Sequence, residues 1–104
     1  MTYSLQFLPE VEDDVINNYT WYKAKSRALG EDFLRIFYSS AYDIARSPLL
    51  YRKVYKEFRR CLIRRFPYAI YFALDEDRII VFGLFHCARN PRSIKSMLQN
   101  REKE

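Results

Sequence analysis

Polar and apolar positions alternate at the start of the chain and then change to a helical spacing. Residues 3–8 alternate with a period of two, which predicts a short first strand. Pro9 and the acidic residues after it suit the beginning of a helix, because proline lacks an N–H and carboxylates favour the positive end of the helix dipole. Apolar residues at three- and four-residue steps then predict a helix over about residues 10–25.

A second helix is predicted over about residues 29–47, after a short connection at residues 26–30. It ends before Pro48, because the residue preceding a proline avoids the helical conformation. One of its sides is apolar, and the opposite side also carries large apolar residues, among them Tyr38 and Tyr42. Such a helix is either covered twice within the protein, or covered once and bound by a partner.

The second half of the chain has the composition of strands. Three are predicted, over residues 59–65, 68–74 and 79–86, and residues 52–55 are a weaker candidate for a further strand. Pro67 interrupts the pattern and indicates a turn. The last of these strands is almost entirely apolar, which is typical of a strand in the middle of a sheet that is covered on both faces.

The order β-α-α-β-β-β predicts an α+β fold, in which a helical hairpin packs on one face of a small, mainly antiparallel sheet. No repeat or flexible linker divides the 104 residues, so we expect one domain with a core over residues 1–92. Residues 93–104 are polar, with Ile94, Met97 and Leu98 at helical spacing. This tail is expected to be either a short helix or a disordered segment.

Charge divides the chain into two unlike halves. Residues 1–50 carry five basic against seven acidic side chains, a net charge of −2, whereas residues 51–104 carry thirteen against six, a net charge of +7. A basic half indicates either an anionic partner or a solubilising surface. The chain has two cysteines, no signal-peptide pattern and no apolar run of about 18–20 residues, so we expect a cytoplasmic protein with reduced thiols.

The predicted strand at residues 59–65 is the first candidate site, because it carries four arginines. Alternation along a strand places Arg60 and Arg64 on one face, and Arg59 and Arg65 on the other. Arginine suits the bidentate capture of phosphate or carboxylate, so the strand could present an anion-binding face. The alternative is a solvated edge strand that its charges protect from aggregation.

The exit of the last strand is the second candidate site. There His86, the only histidine, is followed by Cys87, Arg89 and Arg92. His86 could act as a general acid or base, or could be a hydrogen-bonded structural group. Pairing of His86 with a Cys87 nucleophile is disfavoured, because adjacent strand residues point to opposite faces. Two cysteines and one histidine lack ligand spacing, so neither a metal nor a cofactor is expected.

Aromatic residues of the two helices form the third candidate site: packing in the core is the default for such residues, and Trp21, Tyr38 and Tyr42 are the candidates for partner contacts. Signatures of self-contained enzymes are missing from the sequence, including a glycine-rich phosphate loop and a Ser-His-Asp pattern. The residues themselves therefore favour a binding protein over an enzyme.

Residues 59–72, with the segment Arg-Phe-Pro-Tyr at 65–68, resemble the core of ParE-type toxins. The apolar stretch at residues 79–86 and its exit at residues 88–91 fit the same pattern. The chain is thus similar to the RelE/ParE superfamily over about residues 3–92. This resemblance implies a type II toxin, of the kind often labelled plasmid stabilisation protein, held in a hetero-oligomer by a cognate antitoxin whose C-terminal segment wraps the toxin.

The resemblance implies two alternative targets. ParE-type toxins poison DNA gyrase, whereas RelE-type toxins cleave messenger RNA on the ribosome by metal-free chemistry that uses basic residues and a tyrosine near the C-terminus. No tyrosine follows His86 here, and Ala69 stands where RelE-like sequences carry an arginine. The sequence therefore favours gyrase over the ribosome. A non-toxic basic domain remains the third hypothesis.

Site residues follow from these hypotheses. The gyrase-binding surface is expected to comprise Arg59, Arg60, Arg64, Arg65, Arg89 and Arg92. For a ribonuclease, the catalytic candidates are His86, Arg64, Arg65 and Arg89. The antitoxin is expected to cover Trp21, Tyr38 and Tyr42.

Overall fold

The computed structural model describes residues 3–102 of the chain, so residues 1–2 and 103–104 of the predicted domain and tail lie outside the described part. Its elements are β1 (Ser4–Phe7), α1 (Pro9–Lys25), α2 (Arg27–Arg46), a 3₁₀ turn (Pro48–Leu50), β2 (Lys53–Tyr55), β3 (Phe58–Leu62), β4 (Tyr68–Asp75), β5 (Arg78–His86) and α3 (Pro91–Glu102). Each predicted helix and strand is present. Residues 93–102 of the predicted tail lie in the helix α3.

The five strands form one mixed sheet in the order β1-β5-β4-β3-β2. Strands β2 to β5 pair antiparallel with their sequence neighbours, while β1 pairs parallel with β5. The prediction of a mainly antiparallel sheet is confirmed. β5 lies between β1 and β4 and contributes residues to the cores on both faces of the sheet, which accounts for its nearly continuous apolar sequence.

The helical hairpin is tighter than the sequence predicted. Ser26 is the single residue between α1 and α2, and α2 begins at Arg27 rather than near residue 29. Gly30 lies inside α2 and is not part of a connection. A Cβ at Gly30 would lie 2.9 Å from the Cβ of Lys23 on α1. The glycine therefore lets the two helices approach closely.

The hairpin packs on one face of the sheet and forms the main core with it. Phe33 and Ile44 of α2 are fully buried against Ile70 and Phe72 of β4. On the outer side of α2, Tyr38 is 47 % exposed and Tyr42 is 62 % exposed. Of the two predictions for α2, coverage on both sides is therefore wrong, and coverage on one side is confirmed.

The opposite face of the sheet is covered by α3. Ile94 and Leu98 of this helix pack against Phe58, Tyr71 and Phe85. The sheet thus lies between two helical layers, which agrees with the two-sided coverage predicted for the last strand, whereas the predicted helical hairpin supplied only one layer. The prediction missed the second layer because only a few apolar positions of α3 face the sheet.

A β-bulge in β5 adapts the strand to these two layers. Tyr71 pairs with Gly83 and Phe72 pairs with Val81, which leaves Phe82 as the extra residue. Because of this extra residue, Val81 and Leu84 both face the hairpin, although they are three positions apart. Across residues 3–102, no helix has both the length and the apolar composition that crossing a lipid bilayer requires.

Candidate functional site: a basic and an apolar groove

A groove of about 130 Å³ lies between α3 and the strands β2 and β3, on the α3 side of the sheet. Three cationic side chains line it: Arg60, Arg89 and Lys95. Its other lining residues are Val54, Tyr55, Tyr71, Cys87, Pro91, Ile94 and Leu98. None of these described lining residues is acidic, so we call this site the basic groove.

Strand alternation places Arg60 in the basic groove. Phe58 and Arg60 share the face of β3 that meets α3, while Cys61 points into the core under the hairpin. Arg60 is exposed and lies opposite Tyr71 of β4. Because Phe58 is buried, it fixes the backbone of β3. The guanidinium of Arg60 extends from that backbone into solvent.

Arg89 enters the basic groove from the turn between β5 and α3. Its backbone N–H donates to the carbonyl oxygen of His86 at 3.0 Å, which closes that turn. Its guanidinium carbon lies 5.4 Å from the ring centroid of Phe85, within cation–π range. The aromatic ring thus restricts the guanidinium without neutralising its charge.

Lys95 was not among the predicted site residues. Its ammonium nitrogen lies 5.4 Å from the ring centroid of Tyr55, and that ring is stacked on Phe58 at 6.1 Å. Lys95 directly follows the buried Ile94, so it borders the apolar stripe of α3. The helical spacing of the tail is the sequence signal that could have indicated Lys95.

The structure does not gather the six predicted arginines on one surface. Arg59 is half-buried on the hairpin side, and its Nη1 donates to the carbonyl oxygen of Tyr51 at 2.6 Å. Arg65 forms an ion pair with Asp32 of α2, at 2.8 Å between Nη1 and Oδ2. Both guanidinium groups therefore bind other parts of the chain and lie outside the basic groove.

Arg64 and Arg92 are exposed but do not line the groove. β3 ends at Leu62 rather than at residue 65, so Arg64 lies beyond the strand, and its place on the same face as Arg60 stays a prediction. Arg65 has a positive φ of 68°, which marks the turn that ends the strand. Arg92 lies in the first turn of α3, where its N–H donates to the Asn90 side chain at 2.8 Å.

Asp32, near the beginning of α2, accepts hydrogen bonds from two arginine side chains. Hydrogen bonds from Arg35 and then from Arg65 hold the pKa of the Asp32 carboxyl below its usual value of 3.8. The pair with Arg65 joins the first half of the chain to the turn after β3. This acid therefore neutralises part of the positive charge that the sequence assigned to a binding surface.

His86 ends β5 with its ring against Tyr68, at 5.1 Å between centroids. Its Nδ1 accepts a hydrogen bond from the N–H of Ala88 at 3.0 Å, so the neutral ring carries its proton on Nε2. The basic groove includes Arg89 but not His86, Arg64 or Arg65. The four ribonuclease candidates thus do not line one groove.

The two cysteines are free and lie in different environments. Cys61 is buried in the core, where burial raises the pKa of its thiol. Cys87 is exposed and lines the basic groove. Within the described residues, no cluster of three or more histidine, cysteine or acidic side chains could hold a metal ion.

A second groove, of about 420 Å³, lies between α1, α2 and the end of β1, on the hairpin side of the sheet. It is lined by Phe7, Val11, Glu12, Val15, Ile16, Tyr19, Leu34, Phe37 and Tyr38. Because Glu12 is the only charged residue in this set, we call it the apolar groove. Phe7, Ile16 and Tyr38 are exposed large hydrophobic residues. Contiguous exposed apolar surface of this kind is typical of a protein-binding site.

The predicted partner residues are divided between two sides of the hairpin. Tyr38 lines the apolar groove, and Tyr42 follows it one helical turn later on the outer side of α2. Trp21 comes two residues after the groove residue Tyr19, so it lies about 200° around α1. Its ring instead contacts the ammonium group of Lys25, at 4.8 Å. Trp21 therefore does not share a surface with the two tyrosines.

The sequence matches no protein-family model, and no curated protein matches it significantly. Among solved structures, a chain described as "Chromosomal ParDE TA system from P. aeruginosa" is similar, with a TM-score of 0.70 and 13 % sequence identity. The match covers 82 % of this chain and 96 % of that chain. Since the identity is so low, the likeness concerns the fold. The described chain has a ParE-like α+β fold.

Proposed function

We propose that this protein is the toxin of a type II toxin–antitoxin system. The observation that carries the proposal is the fold match, which spans nearly the whole of a chain from a ParDE toxin–antitoxin system. Two grooves of unlike chemistry, on opposite faces of the sheet, support it. A toxin needs one surface for its target and one for its antitoxin.

The apolar groove is the proposed antitoxin site. Its exposed residues, Phe7, Ile16 and Tyr38, suit the apolar face of an amphipathic helix, whose anchors recur every three to four residues. Tyr42 would extend the contact along α2. The proposed complex is a toxin–antitoxin hetero-oligomer in which the antitoxin buries these side chains.

The basic groove is the proposed target site, and DNA gyrase or its complex with DNA is the proposed target. Arg60, Arg89 and Lys95 supply a positive surface that an anionic partner would neutralise. Arg92 at the beginning of α3 and Arg64 after β3 are exposed and would extend this surface. Since bacterial gyrase acts on chromosomal DNA, the protein would act in the cytoplasm.

A second candidate function is ribosome-dependent cleavage of messenger RNA. The observation that favours it is the partly exposed ring of Tyr55 beside the three cations, because bases stack on aromatic rings while cations bind phosphates. Gyrase is preferred, because His86 does not line the basic groove and no tyrosine follows it in the sequence.

Induced expression in a susceptible bacterium tests the proposal and separates the candidates. We expect growth arrest with filamentation and a DNA damage response, while protein synthesis continues at first. Rapid loss of translation with cut messages would replace gyrase by the ribosome as the target. Normal growth at a verified protein level would contradict a toxin function and would leave a non-toxic basic domain.

A further inference from the structure

We propose that Asp14 and Arg101 are positioning residues of the basic groove, because their ion pair holds α3 against the sheet. The biological meaning of this inference depends on the proposed target site, but the geometry does not. The pair is bidentate: Nη1 of Arg101 lies 2.8 Å from Oδ2 of Asp14, and Nη2 lies 3.1 Å from Oδ1. The Arg101 side chain is only 11 % exposed and the Asp14 side chain only 14 % exposed.

The pair occupies a gap at the edge of β5. β1 pairs with β5 only as far as Val81, so the following part of this edge lacks a strand partner. There the carbonyl oxygen of Phe82 accepts from Nη1 of Arg101 at 2.8 Å, and the N–H of Leu84 donates to Oδ2 of Asp14 at 3.1 Å. The ion pair thus satisfies backbone groups that a longer β1 would have paired.

Gly83, between these two backbone contacts, makes the approach possible. A Cβ at this position would lie 2.5 Å from ring atoms of Phe85 and 3.0 Å from Nη1 of Arg101. The Arg101 guanidinium carbon lies 5.1 Å from the Phe85 ring centroid. Glycine therefore leaves the space that the guanidinium and the aromatic ring share.

α3 has few other attachments to the sheet. Of its twelve residues, Ile94 and Leu98 are buried, and both lie before the last turn of the helix. Arg101 is the attachment in its last turn. Lys95 lies on the same helix, so its position relative to Arg60 and Arg89 depends on how α3 is docked. Without the ion pair, α3 as a whole should undock from the sheet more often, and Lys95 would then leave the groove with it.

Amide hydrogen exchange tests the docking of α3. In Arg101→Met and in Asp14→Asn, we expect the amides of α3 to exchange roughly tenfold faster or more, with α2 amides unchanged. Unchanged protection of α3 would contradict the inference. Equal loss of protection in α2 and α3 would also contradict it, because the pair would then stabilise the whole fold and not α3 in particular.

Thiol chemistry at Cys87 tests the geometry of the groove. We would compare its reaction rates with the dianionic reagent 5,5′-dithiobis(2-nitrobenzoate) and with a neutral dipyridyl disulfide, and verify the labelled site by peptide mapping. The three cations should favour the anionic reagent in the wild type. In Arg101→Met and Asp14→Asn, the anionic-to-neutral rate ratio should fall about threefold.

Two controls make this result specific. Asp14→Asn makes the net charge more positive, so a purely electrostatic effect would raise the rate ratio where the docking account lowers it. Arg27→Gln removes one charge from an exposed ion pair with Glu31 and should leave the ratio unchanged. A ratio that follows net charge alone would overturn the inference. Both readouts use the isolated protein, so they stay interpretable whether or not the protein inhibits gyrase.

Discussion

The two grooves differ in how their walls are supported. The apolar groove lies on a hairpin whose inner side is packed in the main core, with Phe37 buried beneath it. One wall of the basic groove is α3, a helix with two buried apolar residues and one ion pair near its end. If the grooves bind partners as proposed, the apolar groove should bind through buried area on well-packed walls, and the basic groove through charge, with one wall that depends on few contacts.

The largest predicted effect is on the free energy of unfolding. It distinguishes a residue on the inner side of α2 from one on its outer side. Phe33 is fully buried, with its ring 5.2 Å from that of Tyr22 and 5.3 Å from that of Phe66. Phe33→Ala should lower the free energy of unfolding by about 3–5 kcal/mol, because it leaves a cavity. Tyr38→Ala on the outer side should change it by less than about 0.5 kcal/mol. Denaturant unfolding measures both, and equal losses would show that the outer side is part of the core.

A smaller effect distinguishes two adjacent arginines of β3. Arg59→Met removes the hydrogen bond to the half-buried Tyr51 carbonyl and should cost about 1 kcal/mol of unfolding free energy. Arg60→Met should cost less than about 0.5 kcal/mol, because the Arg60 side chain is exposed in the basic groove. If chemical denaturation found Arg60→Met the more damaging substitution, the assignment of Arg59 to structure and Arg60 to binding would be reversed.

The smallest predicted effect is on the pH dependence of stability, and it concerns Asp32, the acid that pairs with Arg65. The pKa of Asp32 is lowered in the folded state, so its ion pairs stabilise the fold above the usual value of 3.8, and this contribution is lost as the pH falls through the folded-state pKa. Asp32→Asn should therefore reduce the loss of stability between about pH 5 and about pH 2. Denaturant midpoints across this range measure it. An unchanged acid dependence in the variant would mean that the pair with Arg65 contributes nothing to stability.

Strong periodic patterns made the helices and strands predictable from the sequence. β4 and β5 carry long β-prone stretches, and the helical hairpin follows from apolar steps of three and four residues. The end of β3 was predicted three residues too late, because the turn depends on a positive φ at Arg65, which the residue type does not favour. The arginines after Leu62 therefore could not be assigned to a face.

The basic groove could be predicted only in part. Arg60 and Arg89 were among the expected residues, but Lys95 and Tyr55 belong to the groove only because α3 docks on the sheet. That docking depends on a pair of residues 87 positions apart, Asp14 and Arg101. A tail with few apolar residues carries no local signal for such a contact. The sequence therefore indicated the cations of β3 and of the exit from β5, and missed the one that the second helical layer adds.

The central claim is tested most directly by measuring how strongly this protein inhibits the DNA supercoiling that purified gyrase catalyses. If the basic groove is the target site, Arg60→Gln combined with Arg89→Gln should raise the inhibitory concentration at least about tenfold. A control that combines Arg27→Gln with Arg65→Gln removes the same charge outside the groove and should match the wild type. Equal loss of inhibition in both double variants, with both proteins folded, would contradict a site built by the basic groove.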